Sequence, residues 1–240
     1  MSTNVGKLWV YLATTPLLWL CATLSFYWLA DRFFVLTRRY PLANPVLLSA
    51  IILGALLKVS NTHYETYFRG AQFVHFMLGP ATVALAVPLV GEFQELRRRA
   101  LPVALALVAG SLTAIISAVG IAWSLGASTT IQASLAPKSV TTPIAMGISK
   151  AVGGIPALTA VLVIITGIIV AIIAQPWFNT LRIRDDAARG FASGLAGHGI
   201  GTARSFQAGK RAGTYAGLAL ALNGVLTAVI VPYLMALWHG

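Results

Sequence analysis

Acid and sulfur are scarce in this chain: six Asp and Glu stand against seventeen Lys and Arg, with one cysteine, in 240 residues. The single thiol, Cys21, excludes a disulfide within the chain and any cysteine-built metal site, and reads as a packing residue. The acids Asp31, Glu65, Glu92, Glu95, Asp185 and Asp186 all fall at or beyond the ends of apolar runs. No carboxylate is therefore placed at mid-membrane to bind sodium or relay protons. The histidines, His63, His75, His198 and His239, are dispersed, and no nucleophile–base–acid set, phosphate loop or dinucleotide signature occurs. These gaps argue against an enzyme, and a murein hydrolase in particular would need grouped carboxylates. No metal or cofactor is implied.

What is abundant is apolar sequence. Hydrophobic residues make up 58% and charged residues 10% of the chain, with a mean hydropathy of +0.81; soluble domains carry about a quarter charged residues. The composition predicts an all-α polytopic membrane protein forming one integral domain over residues 1–240. The apolar runs are Leu8–Ala30, Pro45–Val59, Ala71–Val90, Leu101–Trp123, Ile155–Ala174 and Gly213–Trp238. All but Pro45–Val59 approach the roughly 20 residues that a spanning helix needs. The first run follows Lys7 but is too long and too aromatic for a signal peptide, and reads as a retained helix.

A net charge of +11 is distributed as Arg38-Arg39, Arg97-Arg98-Arg99, Arg182 with Arg184, and Lys210-Arg211. Clusters flanking apolar spans follow the positive-inside rule and point to membrane lipid, not nucleic acid. With the first three clusters in the cytoplasm, the N-terminus lies outside and about seven transmembrane helices are expected. In this topology Pro137–Lys150 is a re-entrant or tilted segment and Gly190–Arg204 crosses outward. The last helix returns the C-terminus to the cytoplasm, which leaves Lys210-Arg211 outside, against the rule.

Gly110-Ser111-Leu112-Thr113-Ala114-Ile115-Ile116 and Gly224-Val225-Leu226-Thr227-Ala228-Val229-Ile230 share five of seven residues at an offset of 114. Asn44-Pro45 and Ile155-Pro156 each open an apolar helix, and Gly79-Pro80 falls where Gly197–Gly201 falls. The expectation is an inverted repeat over residues 44–123 and 155–238, with interrupted helices around a midplane site, as in many secondary transporters.

Three interruptions are expected. One lies at Leu78–Thr82, around Pro80 with Pro88 beyond, preceded by Thr62–Glu65 with the capping-box spacing of a short helix start. The second is the polar island Pro137-Lys138-Ser139-Val140-Thr141-Thr142-Pro143. Here Pro137 and Pro143 bound a cation and three hydroxyls, a place to hold a small anion. The third is the glycine-rich stretch from Gly194 to Arg204, with Gly197, Gly199 and Gly201 loosening the helix and exposing N–H groups. Lys138, Ser139, Thr141, Thr142, His198, Thr202 and Arg204 are the candidate substrate contacts. Each has a structural alternative: Lys138 can snorkel, His198 can be a structural hydrogen bonder, Arg204 can anchor a helix end, and the glycines can serve close packing. His198 and Thr202, four apart, share a face if that stretch is helical. The buried polar groups are cationic or neutral, so an anionic substrate follows.

Leu135–Met146, Gly153–Ala160, Ala188–Gly190 and His198–Arg204, with Asn44-Pro45 and the Pro80–Pro88 segment, resemble the LrgB/CidB family of bacterial inner-membrane proteins across nearly the whole chain. The resemblance implies a multi-pass protein encoded beside a smaller LrgA/CidA-like membrane partner. The family is described as antiholin-like, modulating murein hydrolase activity and autolysis. Related proteins include a plastid glycolate/glycerate transporter and bacterial pyruvate transport systems. Residues and resemblance together lead us to expect a secondary transporter of small monocarboxylates (glycolate, glycerate, pyruvate or lactate), working as a homodimer or higher homo-oligomer. The alternative is an antiholin-like regulator of autolysis acting as a pore component or holin antagonist.

Overall fold

The computed structural model describes residues 15–37, 40, 43–84 and 93–239. Every regular element among them is a helix: α1 (Pro16–Leu36), α2 (Pro45–Val59), α3 (Tyr64–Ala84), α4 (Phe93–Arg98), α5 (Ala100–Ser124), α6 (Thr129–Leu135), α7 (Thr142–Ala151), α8 (Pro156–Thr180), α9 (Asp186–Ala208) and α10 (Lys210–His239). Proline stands in the first turn of α1, α2, α7 and α8. There its missing N–H costs nothing and its fixed φ favours the helix. Asn44 caps α2 by accepting from the N–H groups of Val46 and Leu47, and Asp185 caps α9 by accepting from that of Ala188. Three helices among the described residues, α5, α8 and α10, are long and apolar enough to cross a membrane; α2 is apolar but shorter.

Residues 1–84 and 85–240 form two compact units. In the first, α1 packs on α2 and α3, with Trp19 of α1 fully buried and edge-on to Tyr67 of α3. The expected helix over Leu8–Ala30 is found at Pro16–Leu36, with residues 8–14 outside the described residues. Asp31 consequently lies inside the helix, not beyond it. The expected break at Pro80 is absent: α3 starts at Tyr64, as the capping-box spacing indicated, but runs 21 residues through Pro80 to Ala84. Proline removes one helical hydrogen bond, a loss that helices in membrane proteins absorb. Pro88 lies outside the described residues.

In the second unit, α5 and α10 lie side by side and parallel. Ser111 meets Asn223, and further along in the same sense Trp123 meets Trp238 edge-on, with ring centroids 6.2 Å apart. These helices carry the repeated Gly110–Ile116 and Gly224–Ile230 motifs, so the expected inverted relation fails for them. The motifs stand at nearly one level in the same direction, and a seven-residue match carries no information about helix sense.

The larger departure is in α9. His198 has φ 44° and ψ −133°, and after it the chain doubles back. A Cβ on Gly201 would collide with the carbonyl of Ser193, eight residues earlier; in a continuous helix those positions are about 12 Å apart. Residues 186–197 and 199–208 are thus two antiparallel arms of a hairpin. From Lys210, α10 runs back parallel to the first arm, with Ala212 against Gly190 and Ala216 against Gly194 so closely that neither glycine could carry a Cβ. These small-xxx-small pairs are a packing device. The expected single crossing by Gly190–Arg204 is corrected by this reversal. It brings Lys210-Arg211 to the same end of the unit as Arg182 and Arg184, and it sends the C-terminus to the opposite end.

Candidate functional site

Helix α8 serves as a ruler along which two interrupted segments are hung. At its start, Thr159 Oγ1 donates to the carbonyl of Ser134 at 2.9 Å and lies 2.7 Å from Ser149 Oγ, whose hydroxyl it can accept from, while Ser134 Oγ accepts from the N–H of Ile155 at 2.8 Å. Ser134, Ser149 and Thr159 are fully buried. Residues 134–149, which contain the end of α6, the polar island and most of α7, therefore leave and return at one place. The island is a tight turn, with the N–H of Lys138 on the carbonyl of Leu135 and that of Val140 on Pro137. Pro137 is buried in it. Pro143 does not break a helix here but sits in the first turn of α7, where φ near −65° is an advantage.

One turn further along α8, His198 Nε2 lies 2.9 Å from the carbonyl of Val163. A carbonyl only accepts, so the ring nitrogen donates and Nε2 carries the proton. One more turn on, Gly167 clears space for the imidazole: a Cβ there would stand 2.7 Å from Cε1 and 2.8 Å from Nε2. His198 is buried at the reversal between Gly197 and Gly199. A non-glycine residue at such φ costs on the order of 1–3 kcal/mol. Glycine would meet the turn without that cost, so the side chain is what this position retains. Thr202 Oγ1 donates to the His198 carbonyl at 2.8 Å and Ser205 Oγ to that of Gly201 at 2.9 Å. Thr202 thus stays beside His198, but in the first turn of the second arm, across the break.

The two segments meet at Asn223. Its Nδ2 donates to the carbonyl of Ser139 on the island and to that of Leu195 at the end of the first arm, both at 3.1 Å. Its Oδ1 accepts from Ser111 Oγ of α5 at 2.6 Å and from Thr227 Oγ1 at 3.2 Å. Lys138 Nζ donates to Ser139 Oγ at 3.3 Å. The second arm begins at this tip, so the positive end of its helix dipole points here. Thr141, at the N-cap of α7, makes no capping bond through its hydroxyl, and it and Thr142 are half-buried. Lys138, Ser139, His198 and Thr202 are thus gathered in one region, with Thr141 and Thr142 following the island. Arg204 is not gathered there: it is two turns down the second arm, with Nη1 on Gln207 Oε1 at 2.9 Å.

Sequence reasoning passed over Asn223, Ser111 and Gly167. The available signal was a lone amide in the middle of the apolar run Gly213–Trp238, since a buried amide in a span demands partners. Arg189, by contrast, is a clamp. It reaches the Ile183 carbonyl at 2.5 Å, Gln175 Oε1 at 3.3 Å and Asn179 Oδ1 at 2.7 Å, tying the first arm to the end of α8.

Membrane-length helices whose midpoints hold two interrupted segments through buried amide, hydroxyl and imidazole bonds define a helical membrane protein with a polar interior. The chain belongs to the LrgB-like family, whose model matches residues 23–237. It is 38% identical to "Uncharacterized protein YwbG" of Bacillus subtilis (strain 168) over 201 residues, 83% of this chain and 89% of that protein. It is 32% identical to "Antiholin-like protein LrgB" of Bacillus cereus (strain B4264) over 221 residues, 92% of this chain and 96% of that one. A Bacillus anthracis protein of the same name matches to the same extent. No solved structure matches the chain.

Proposed function

We propose that this chain is a secondary carrier of small organic anions of the monocarboxylate class, in the bacterial inner membrane, and not an enzyme. One observation carries the reading. The island and the α9 hairpin meet where Ser111, Val163, Gly167 and Asn223 stand, near the middle of the three membrane-length helices α5, α8 and α10. Broken backbone at that depth is tolerated where it serves a site. The site's charge comes from Lys138 and a helix N-terminus, which suits a carboxylate.

The reversal at His198 also supports an ordered topology. Arg97–Arg99, Arg182, Arg184 and Lys210-Arg211 then share the cytoplasmic side, and the conflict with the positive-inside rule disappears. The island reaches the site from one end of α8 and the hairpin from the other, giving two opposed elements that can exchange closure in alternating access. The inverted repeat has no support from α5 and α10, and the carrier reading does not need it. A homodimer, and a small LrgA/CidA-like partner, belong to the same proposal.

The second reading is an antiholin-like regulator of autolysis, favoured by the name of the Bacillus cereus and Bacillus anthracis relatives. Uptake of labelled glycolate, glycerate, pyruvate and lactate into proteoliposomes, with and without the small partner, decides between them. Saturable, mutually competitive uptake is the carrier outcome. Unsaturable leakage of unrelated solutes, or no flux with the partner present, gives the regulator reading precedence.

A further inference from the structure

A cavity of about 470 Å³ adjoins the polar site without being lined by Lys138, Ser139, His198 or Thr202, and lies between α5, the first arm of α9 and Tyr215 of α10. Its walls are two rows of small residues at helical spacing, Pro102, Ala106 and Gly110 on α5 facing Ala188, Ala192 and Ala196 on the first arm. Val103, Phe191 and Leu195 complete an apolar lining. One end closes where Leu195 packs on Gly110, whose Cβ would stand 2.9 Å from Leu195 Cδ1. That end is beside the Asn223 hub, at mid-helix. At the other end stand Arg99 and Asp185.

From Arg99 to Gly110 a helix rises about 16 Å. One leaflet of the hydrocarbon core is about half of 30 Å, so the groove is one leaflet deep. Its mouth is net cationic, with Arg97, Arg98, Arg99 and Arg184 against Asp185 and Asp186. Arg97, Arg98 and Arg184 are exposed beside Arg99 and Asp185, and the carboxylate of Asp185 is engaged by the N–H of Ala188. The N-termini of α5 and α9 both open there, adding partial positive charge. A carbon-lined slot one leaflet deep under a positive rim fits an anionic amphiphile.

We infer that this groove is a binding site for one acyl chain of an anionic phospholipid, its phosphate at the Arg97–Arg99 end. The occupant bears on the hairpin's first arm without touching Lys138 or His198, so the site stands independently of any transported substrate.

Native mass spectrometry on the full chain, purified from vesicles of phosphatidylglycerol and phosphatidylethanolamine, tests this. The expected result is retained phosphatidylglycerol in preference to phosphatidylethanolamine. Ala106→Phe and Ala192→Leu fill the slot and should lower retention about tenfold, the scale of excluding a few methylenes. Leu105→Phe, on the exposed face of α5, should leave retention unchanged. No retained lipid, equal retention of both headgroups, or full retention in the filled variants of folded protein overturns the assignment. If both filled variants fail to fold, Ala106→Cys in a Cys21→Ser chain keeps the question decidable in intact vesicles. A lipid-filled groove reacts with an apolar maleimide and excludes a charged thiosulfonate, and rapid reaction with the charged reagent means water and overturns the proposal.

Discussion

Ser139 and Asn223, 84 positions apart in sequence, are joined by a 3.1 Å bond from the Asn223 amide to the Ser139 carbonyl, and the same nitrogen reaches Leu195 at the same distance. One side chain of a continuous helix thereby holds the ends of two discontinuous ones. Both segments therefore share one hydrogen-bonding side chain, in addition to their separate seats on α8.

Asn223→Leu removes both donors and the acceptor for Ser111 and Thr227. Two buried carbonyls and two hydroxyls lose a partner, at about 1–3 kcal/mol for each group left unsatisfied. Thermal unfolding in detergent should show a large fall in Tm, and uptake should be lost even where folded protein is recovered. Asn223→Asp keeps the shape and the acceptor but not the donors, and should fall between.

Lys138→Met keeps the stem and deletes the charge. Among the described residues the Lys138 ammonium bonds its neighbour Ser139 and no other side chain, so folding should change little while anion affinity collapses. Binding of a labelled monocarboxylate to purified protein reads this directly. Retained affinity removes Lys138 from the site.

Gly167→Ala places a methyl against the imidazole of His198. The ring must leave the Val163 carbonyl, and overpacking of this kind costs about 1–3 kcal/mol. Because both changes break the same bond, Gly167→Ala and His198→Ala should be strongly non-additive in a double-mutant cycle on Tm. His198→Gly relieves the backbone cost at φ 44° while losing the ring. It should be more stable than His198→Ala yet no more active.

Cysteines introduced singly at Arg184, Lys210 and Trp238 in a Cys21→Ser chain report sidedness. Impermeant thiol reagents should reach positions 184 and 210 from one face of the membrane and position 238 from the other. Labelling of 184 and 210 from opposite faces would show that α9 crosses once instead of doubling back.

Much of the local punctuation was legible in the sequence. Pro45 and Pro156 open helices because proline suits a first turn, and Pro137 belongs to a turn because the flanking polar residues offer no apolar face to continue. Pro80 was misread because a proline at mid-run looks the same whether the neighbouring helices absorb its lost bond or not. The reversal at His198 was foreshadowed by Gly197, Gly199 and Gly201, but glycines announce freedom and not direction. Only the approach of Gly201 to Ser193, and of Ala212 and Ala216 to Gly190 and Gly194, turns that freedom into a hairpin. The parallel sense of α5 and α10 follows from this reversal and was invisible without it. Asn223 was hidden for a different reason: the partners of its Nδ2 are main-chain carbonyls, which every sequence supplies, so only its isolation as an amide in an apolar run marks it.

The seats of Gly190 and Gly194 are filled by Ala212 and Ala216, residues that the ribosome adds about twenty positions later. While the hairpin is being made, α8 already offers Val163, Gly167 and Val170 to its tip, but the wall against which Gly190 and Gly194 seat is still missing. The packing of its first arm is therefore completed only when α10 has been delivered alongside. A nascent chain stopped short of α10 would carry all the residues of α9 and still lack one side of their seat.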